Sequence, residues 1–118
     1  MDLFDLGNPD FEVLGGRKRM IVLGQEAEFA MVQREPVAAD GHSHPNEQFV
    51  FFLEGDAEFH VGDERRDVGP GMLLHIPKDV PHGISPKTKI RYVTVYIPPR
   101  APSLKAAEAG EKGHILAR

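Results

Sequence analysis

Apolar residues in this chain come in short runs, and each run stops at glycine or proline. The runs lie at residues 11–14, 19–23, 28–34, 48–53, 57–61, 72–76 and 90–97, with a return strand expected at 65–68 after Gly62-Asp63. Gly15-Gly16, Gly24, Glu35-Pro36, Gly55-Asp56, Gly69-Pro70-Gly71, Pro77 and Pro98-Pro99 punctuate them. Strand-length segments separated by turn residues at this spacing predict an all-β sandwich or closed barrel of about eight strands. The one predicted helix spans 104–109, with Ser103 as cap and Gly110 as stop. A helix that short is marginal by itself, so the tail from about residue 101 reads either as a docked helix or as a frayed end.

Side chains alternate across a strand, and that alternation assigns faces. In 48–53, Gln48, Val50 and Phe52 point one way and Phe49, Phe51 and Leu53 the other. Placing the first set inside leaves three large apolar groups outside. Such a patch is not expected to face water, and it predicts a homodimer interface; cover by the N-terminal segment is the alternative. In 90–97, Tyr92, Thr94 and Tyr96 share the more polar face, suited to a polar cavity, and Arg91, Val93, Val95 and Ile97 share the other.

Composition then narrows the class. A chain of 118 residues, 41% hydrophobic and 27% charged, is sized and balanced for a single globular domain, residues 1–118 with a barrel core at about 17–100. No apolar run approaches the ~20 residues of a membrane span. The net charge of −4 offers no electrostatic footprint for nucleic acid. Absence of cysteine excludes disulfides and thiolate chemistry. The start, Met1-Asp2-Leu3-Phe4-Asp5, lacks the basic and apolar stretches of a signal peptide, which makes the cytoplasm the expected location.

Six histidines is a high number for this length. In His42-Ser43-His44-Pro45-Asn46-Glu47-Gln48, strand parity puts both imidazoles and Gln48 on one face and turns Glu47 away. Imidazole is a common ligand of first-row metals, and a carboxamide oxygen can complete the set. His82 follows the strand that stops at Pro77. His60, His75 and His114 read as surface or otherwise satisfied histidines.

Residues 41–55 and 71–86 resemble the two motifs of the cupin superfamily. The first is matched by His42-x-His44, three residues, Gln48, six residues and Gly55, with Gln in place of the usual Glu. The second is matched by Gly71, five residues, Pro77-x-Asp79, two residues and His82, with Asp79 and Pro86 replacing Gly and Asn. The family's leading Gly falls on Pro36. The resemblance implies a single-domain jelly-roll barrel in which His42, His44, Gln48 and His82 converge on one divalent metal ion, with iron, manganese, nickel, zinc and copper all open. The alternative is a metal-free barrel whose histidines hold a ligand's polar groups.

Thr94-Val95-Tyr96-Ile97-Pro98-Pro99-Arg100 is also similar to the ending of the pectin-degradation cupins that open unsaturated uronate rings. The Pro-Pro-Arg matches, which marks Arg100 as a clamp for a substrate carboxylate. Thr94 stands in the place of their functional Asp and cannot act as a carboxylate base. Tyr96 is then the proton-transfer candidate, with a pKa expected to be lowered by the metal. The resulting expectation is a small-molecule enzyme of the isomerase or lyase type. A metal-dependent dioxygenase and a non-catalytic ligand-binding cupin are the alternatives. Tyr96 or Glu58 near the metal would favour catalysis.

Overall fold

The computed structural model describes residues 1–37 and 41–100, and the backbone of a strand at 114–116. The strands in chain order are β1 (Glu12–Leu14), β2 (Arg17–Leu23), β3 (Glu28–Arg34), β4 (Glu47–Glu54), β5 (Ala57–Val61), β6 (Glu64–Val68), β7 (Leu73–Ile76), β8 (His82–Pro86), β9 (Ile90–Ile97) and β10 (His114–Leu116). They form a larger sheet in the order β1-β2-β3-β9-β4-β7, with β10 parallel to β2, and a smaller sheet β6-β5-β8. Among the described residues there is no helix, and none long and apolar enough to cross a membrane. The helix expected at 104–109 lies outside the described residues.

Two differences from the sequence expectation bear on the site. β2 begins at Arg17 rather than residue 19, so Arg17, Arg19, Ile21 and Leu23 share a face. β8 is absent from the strands expected from the sequence, and Pro81, Gly83 and Pro86 interrupt or flank its segment. It pairs antiparallel with β5, from Val61↔His82 to Ala57↔Pro86, as an edge strand of the smaller sheet. An edge position tolerates a proline that a central strand would not.

Register stacks the inner faces of the larger sheet into rows. Leu23, Glu28, Tyr96 and Gln48 are successive Cα partners across β2, β3, β9 and β4, followed by Ile21, Ala30, Thr94 and Val50. Arg19, Val32, Tyr92 and Phe52 form the next row, and Arg17 and Arg34 are partners beyond it. Val50, Phe52, Ile76 and Ile90 are fully buried. The Phe52 ring meets Phe59 of the smaller sheet at 6.2 Å between centroids and Tyr92 at 5.9 Å, which joins the sheets through one aromatic cluster. The inward assignment of Val50 and Phe52 therefore holds. So does the outward one: Phe51 is 40% exposed, and Phe49 and Leu53 are half-buried.

Backbone conformation explains two motif positions. Gly55 has φ +84°, and a Cβ there would collide with the Lys89 carbonyl oxygen, so the turn after β4 requires glycine. Asp79 occupies the second motif's usual glycine position with φ 64°, a region that Asp tolerates better than most residues. Its N–H donates to the His44 carbonyl at 2.8 Å and ties the two motifs together.

Candidate metal centre

His42 and His44 precede β4, in a segment that is not a continuous strand. Strand parity therefore predicts their shared direction for the wrong reason. What places them is an isolated bridge in which His42 N–H donates to the His82 carbonyl at 2.9 Å and His82 N–H donates to the His42 carbonyl at 2.8 Å. His82 opens β8, and Gln48 is the second residue of β4. The three ring centroids lie 4.5–5.5 Å apart, and one nitrogen from each ring falls within 4.8 Å of the others.

The hydrogen bonds show which nitrogens carry lone pairs. His44 Nδ1 donates to the Asn46 carbonyl at 3.0 Å, and His82 Nδ1 donates to the Val80 carbonyl at 2.9 Å. A carbonyl only accepts, so in each neutral ring Nε2 is left as an acceptor. His82 Nε2 is buried and has no hydrogen-bond partner. His44 Nε2 lies 3.2 Å from Gln48 Oε1. The Gln48 amide is oriented by its other end, where Nε2 donates to Thr94 Oγ1 at 2.9 Å and to Tyr96 Oη at 3.3 Å. Thr94 Oγ1 in turn donates to the Phe49 carbonyl at 2.8 Å, so it is free to accept from Gln48.

Buried acceptors that face one another without a hydrogen are unfavourable unless a cation sits among them. The residues present therefore fit a divalent metal ion at the cluster of His42, His44 and His82, with Gln48 Oε1 beside it. Burial, reinforced by the Arg100 guanidinium, lowers the pKa of His44. Burial also lowers that of His82, with His44 and Arg100 adding to it. Both rings are thus neutral at neutral pH, as ligands must be.

A cavity of about 260 Å³ opens beside these residues. Tyr96 and Arg100 line it, and the Arg100 guanidinium sits 5.6 Å from the centroid of the Tyr96 ring. Arg100 N–H donates to Glu28 Oε1 at 2.9 Å, which holds the residue over the cavity after the two prolines. The expected lowering of the Tyr96 pKa is not what the chain itself provides. Burial pushes the phenol up, and Arg100 opposes that in part. Glu58 does not reach the site: it is 41% exposed and pairs with Arg65 at 3.2 Å. Glu47 is turned outward, as parity predicts, and meets His75 at 2.7 Å.

Sequence reasoning passed over several cavity residues. Glu28, Ala30, Val32 and Arg34 line it from β3, and Arg17, Arg19 and Ile21 from β2. The alternation of 28–34 carried the signal for Glu28 and Arg34. What it lacked was the register that brings β3 beside β9.

A cupin-domain family model matches residues 27–96, more than half of the chain. No curated protein matches it by sequence. Among solved structures, KdgF from Halomonas sp. superposes with a TM-score of 0.77 at 20% identity, covering 87% of this chain and 100% of that one. Ectoine synthase from P. lautus gives 0.77 at 18% identity, covering 93% and 87%. The polyketide cyclase RemF from Streptomyces resistomycificus gives 0.72 at 20% identity, covering 82% and 79%. On its motifs, its two-sheet barrel and the matched domain, the chain belongs to the cupin family.

Proposed function

We propose that this cupin is a metal-dependent enzyme that moves a proton on a small, oxygen-rich, acidic metabolite without net redox, as in an isomerisation, cyclisation or elimination. The observation that carries this reading is that His42, His82 and Gln48 line one cavity together with the Tyr96 phenol and the Arg100 guanidinium. Folds of this kind host many chemistries, so the reading rests on these residues. A bound divalent metal would supply Lewis-acid polarisation of a carbonyl, enol or carboxylate oxygen.

The chain's own groups do the rest. Tyr96 Oη accepts from the Gln48 amide, which leaves the phenolic hydrogen for a substrate oxygen. Its raised pKa keeps that hydrogen in place at neutral pH, so Tyr96 serves as the acid in the first proton transfer. Arg100 offers a planar fork to a substrate carboxylate beside that hydroxyl and holds it in register.

In the same reading, the partner on the outer face is a second copy of the chain. Phe51 and Leu73 are Cα partners across β4 and β7 and are 40% and 67% exposed, and Met72, next to Leu73 in the chain, is 51% exposed. An apolar patch of this kind supports an interface.

The test is a thermal-shift screen of small hydroxy, keto and sugar acids against metal-loaded and metal-free protein. A ligand that stabilises only the metal-loaded form supports the reading. Equal stabilisation of both forms by every ligand that binds contradicts it.

A further inference from the structure

The cavity extends well beyond the histidines, and its lining there is cationic. Among the described residues, four arginines, Arg17, Arg19, Arg34 and Arg100, and one carboxylate, Glu28, line it. Arg100 belongs to the centre described above. The other three lie at the far end of the inner rows. Arg17 and Arg34 are direct Cα partners across β2 and β3, and both face the cavity. That register sets two guanidinium groups side by side on one wall of the cavity, where both can reach one anion. Arg19 is ion-paired to Glu12 at 2.9 Å, with both side chains 7% exposed, and that pair supports the wall. Arg34 Nε–H donates to Tyr92 Oη at 2.9 Å, which fixes the plane of its guanidinium and keeps the Nη1/Nη2 edge for a fork contact.

We propose that Arg34, with Arg17 opposite and Tyr92 bracing it, forms a second anion subsite that takes a terminal carboxylate or phosphate of the substrate. Tyr92 and Tyr96 share a face of β9 four residues apart. At ~3.3 Å per residue, this separation is about 13 Å of strand. The substrate class is then an elongated metabolite with an oxygen-rich end at the histidines and an acidic group at the other. This inference deepens the functional reading above and rests on it only for the role of the near end.

The subsite is testable without metal. Wild-type protein stripped on a chelating resin, rather than with a polycarboxylate chelator that would compete, is titrated by calorimetry at fixed ionic strength. One arm uses inorganic phosphate and the other glutarate. Saturable binding is expected in at least one arm, and the tighter arm assigns the acidic group. Arg34→Gln should weaken binding at least about tenfold, as expected for loss of a charge-assisted fork. Arg34→Lys should fall between, because it keeps the charge and loses the fork. Lys18→Gln, a cation exposed on the opposite face of β2, should bind as wild type does. No saturable binding in either arm overturns the proposal. So does Arg34→Gln binding like wild type, or Lys18→Gln losing as much as Arg34→Gln. Nickel uptake by Arg34→Gln, measured in parallel, separates the two claims: failure to load metal in both proteins, with anion binding intact in wild type, would overturn the metal reading and leave this one standing.

Discussion

Thr94 Oγ1 accepts a hydrogen bond from Gln48 Nε2 at 2.9 Å while donating its own hydrogen to the Phe49 carbonyl at 2.8 Å. This two-step relay decides which end of the Gln48 amide faces the histidines. Thr94 is fully buried, and its hydroxyl is the fixed point from which the amide is oriented.

Replacing Thr94 by Val removes that fixed point at nearly constant volume. It leaves a buried amide hydrogen and the Phe49 carbonyl each short of a partner, at a cost of roughly 1–3 kcal/mol. Thr94→Val should therefore lower the urea midpoint and weaken metal uptake, and Thr94→Ser should restore both. Unchanged metal affinity in Thr94→Val would show that Gln48 is oriented by something else.

Acidification should destabilise the metal-free protein. Burial holds the pKa values of His44 and His82 below the ordinary 6.5. As pH falls through about 6.5, the unfolded chain takes up protons that the folded chain does not, so stability rises with pH across this window and falls below it. Denaturation midpoints between pH 7.5 and pH 5.5 measure the slope. His82→Asn should flatten it.

On a substrate from the metal-loaded screen, Tyr96→Phe should lower kcat by ~10²–10⁴-fold, the usual contribution of a general acid. Arg100→Lys should mainly raise KM, because charge is retained and the fork is lost. Wild-type turnover by Tyr96→Phe would remove the phenol from the mechanism.

The outer face of β4 and β7 should hold a second copy. Light scattering at micromolar concentration should give a dimer mass for wild type. It should give a monomer for Phe51→Glu combined with Leu73→Glu, since two buried charges facing the partner are not tolerated. A wild-type monomer would contradict this.

Much of the barrel was legible because a half-buried strand has a period of two. The alternation at 48–53 and 90–97 assigned Val50, Phe52, Tyr92 and Tyr96 to the interior without any pairing information. β8 was not legible, because Gly83 and Pro86 obey the tolerance of an edge strand, and the edge is a property of the sheet. His42 and His44 were grouped correctly on an incorrect premise: a bridge to His82, forty residues on, does the work assigned to parity. The role of Thr94 and the pairing of Arg17 with Arg34 depend on long-range register. Each residue looks ordinary along the chain and acquires its meaning only from its cross-strand partner.

The proposed metal centre has His42, His44, Gln48 and His82 sharing one divalent ion. Elemental analysis of the purified protein beside His82→Ala and Gln48→Glu tests it most directly. Wild type should carry close to one equivalent of a first-row metal, His82→Ala should lose it almost completely, and Gln48→Glu should retain it at least as firmly, because its carboxylate adds charge to the ligand set. Full metal content in His82→Ala, or none in wild type after reconstitution with iron, manganese, nickel, zinc and copper in turn, would contradict it.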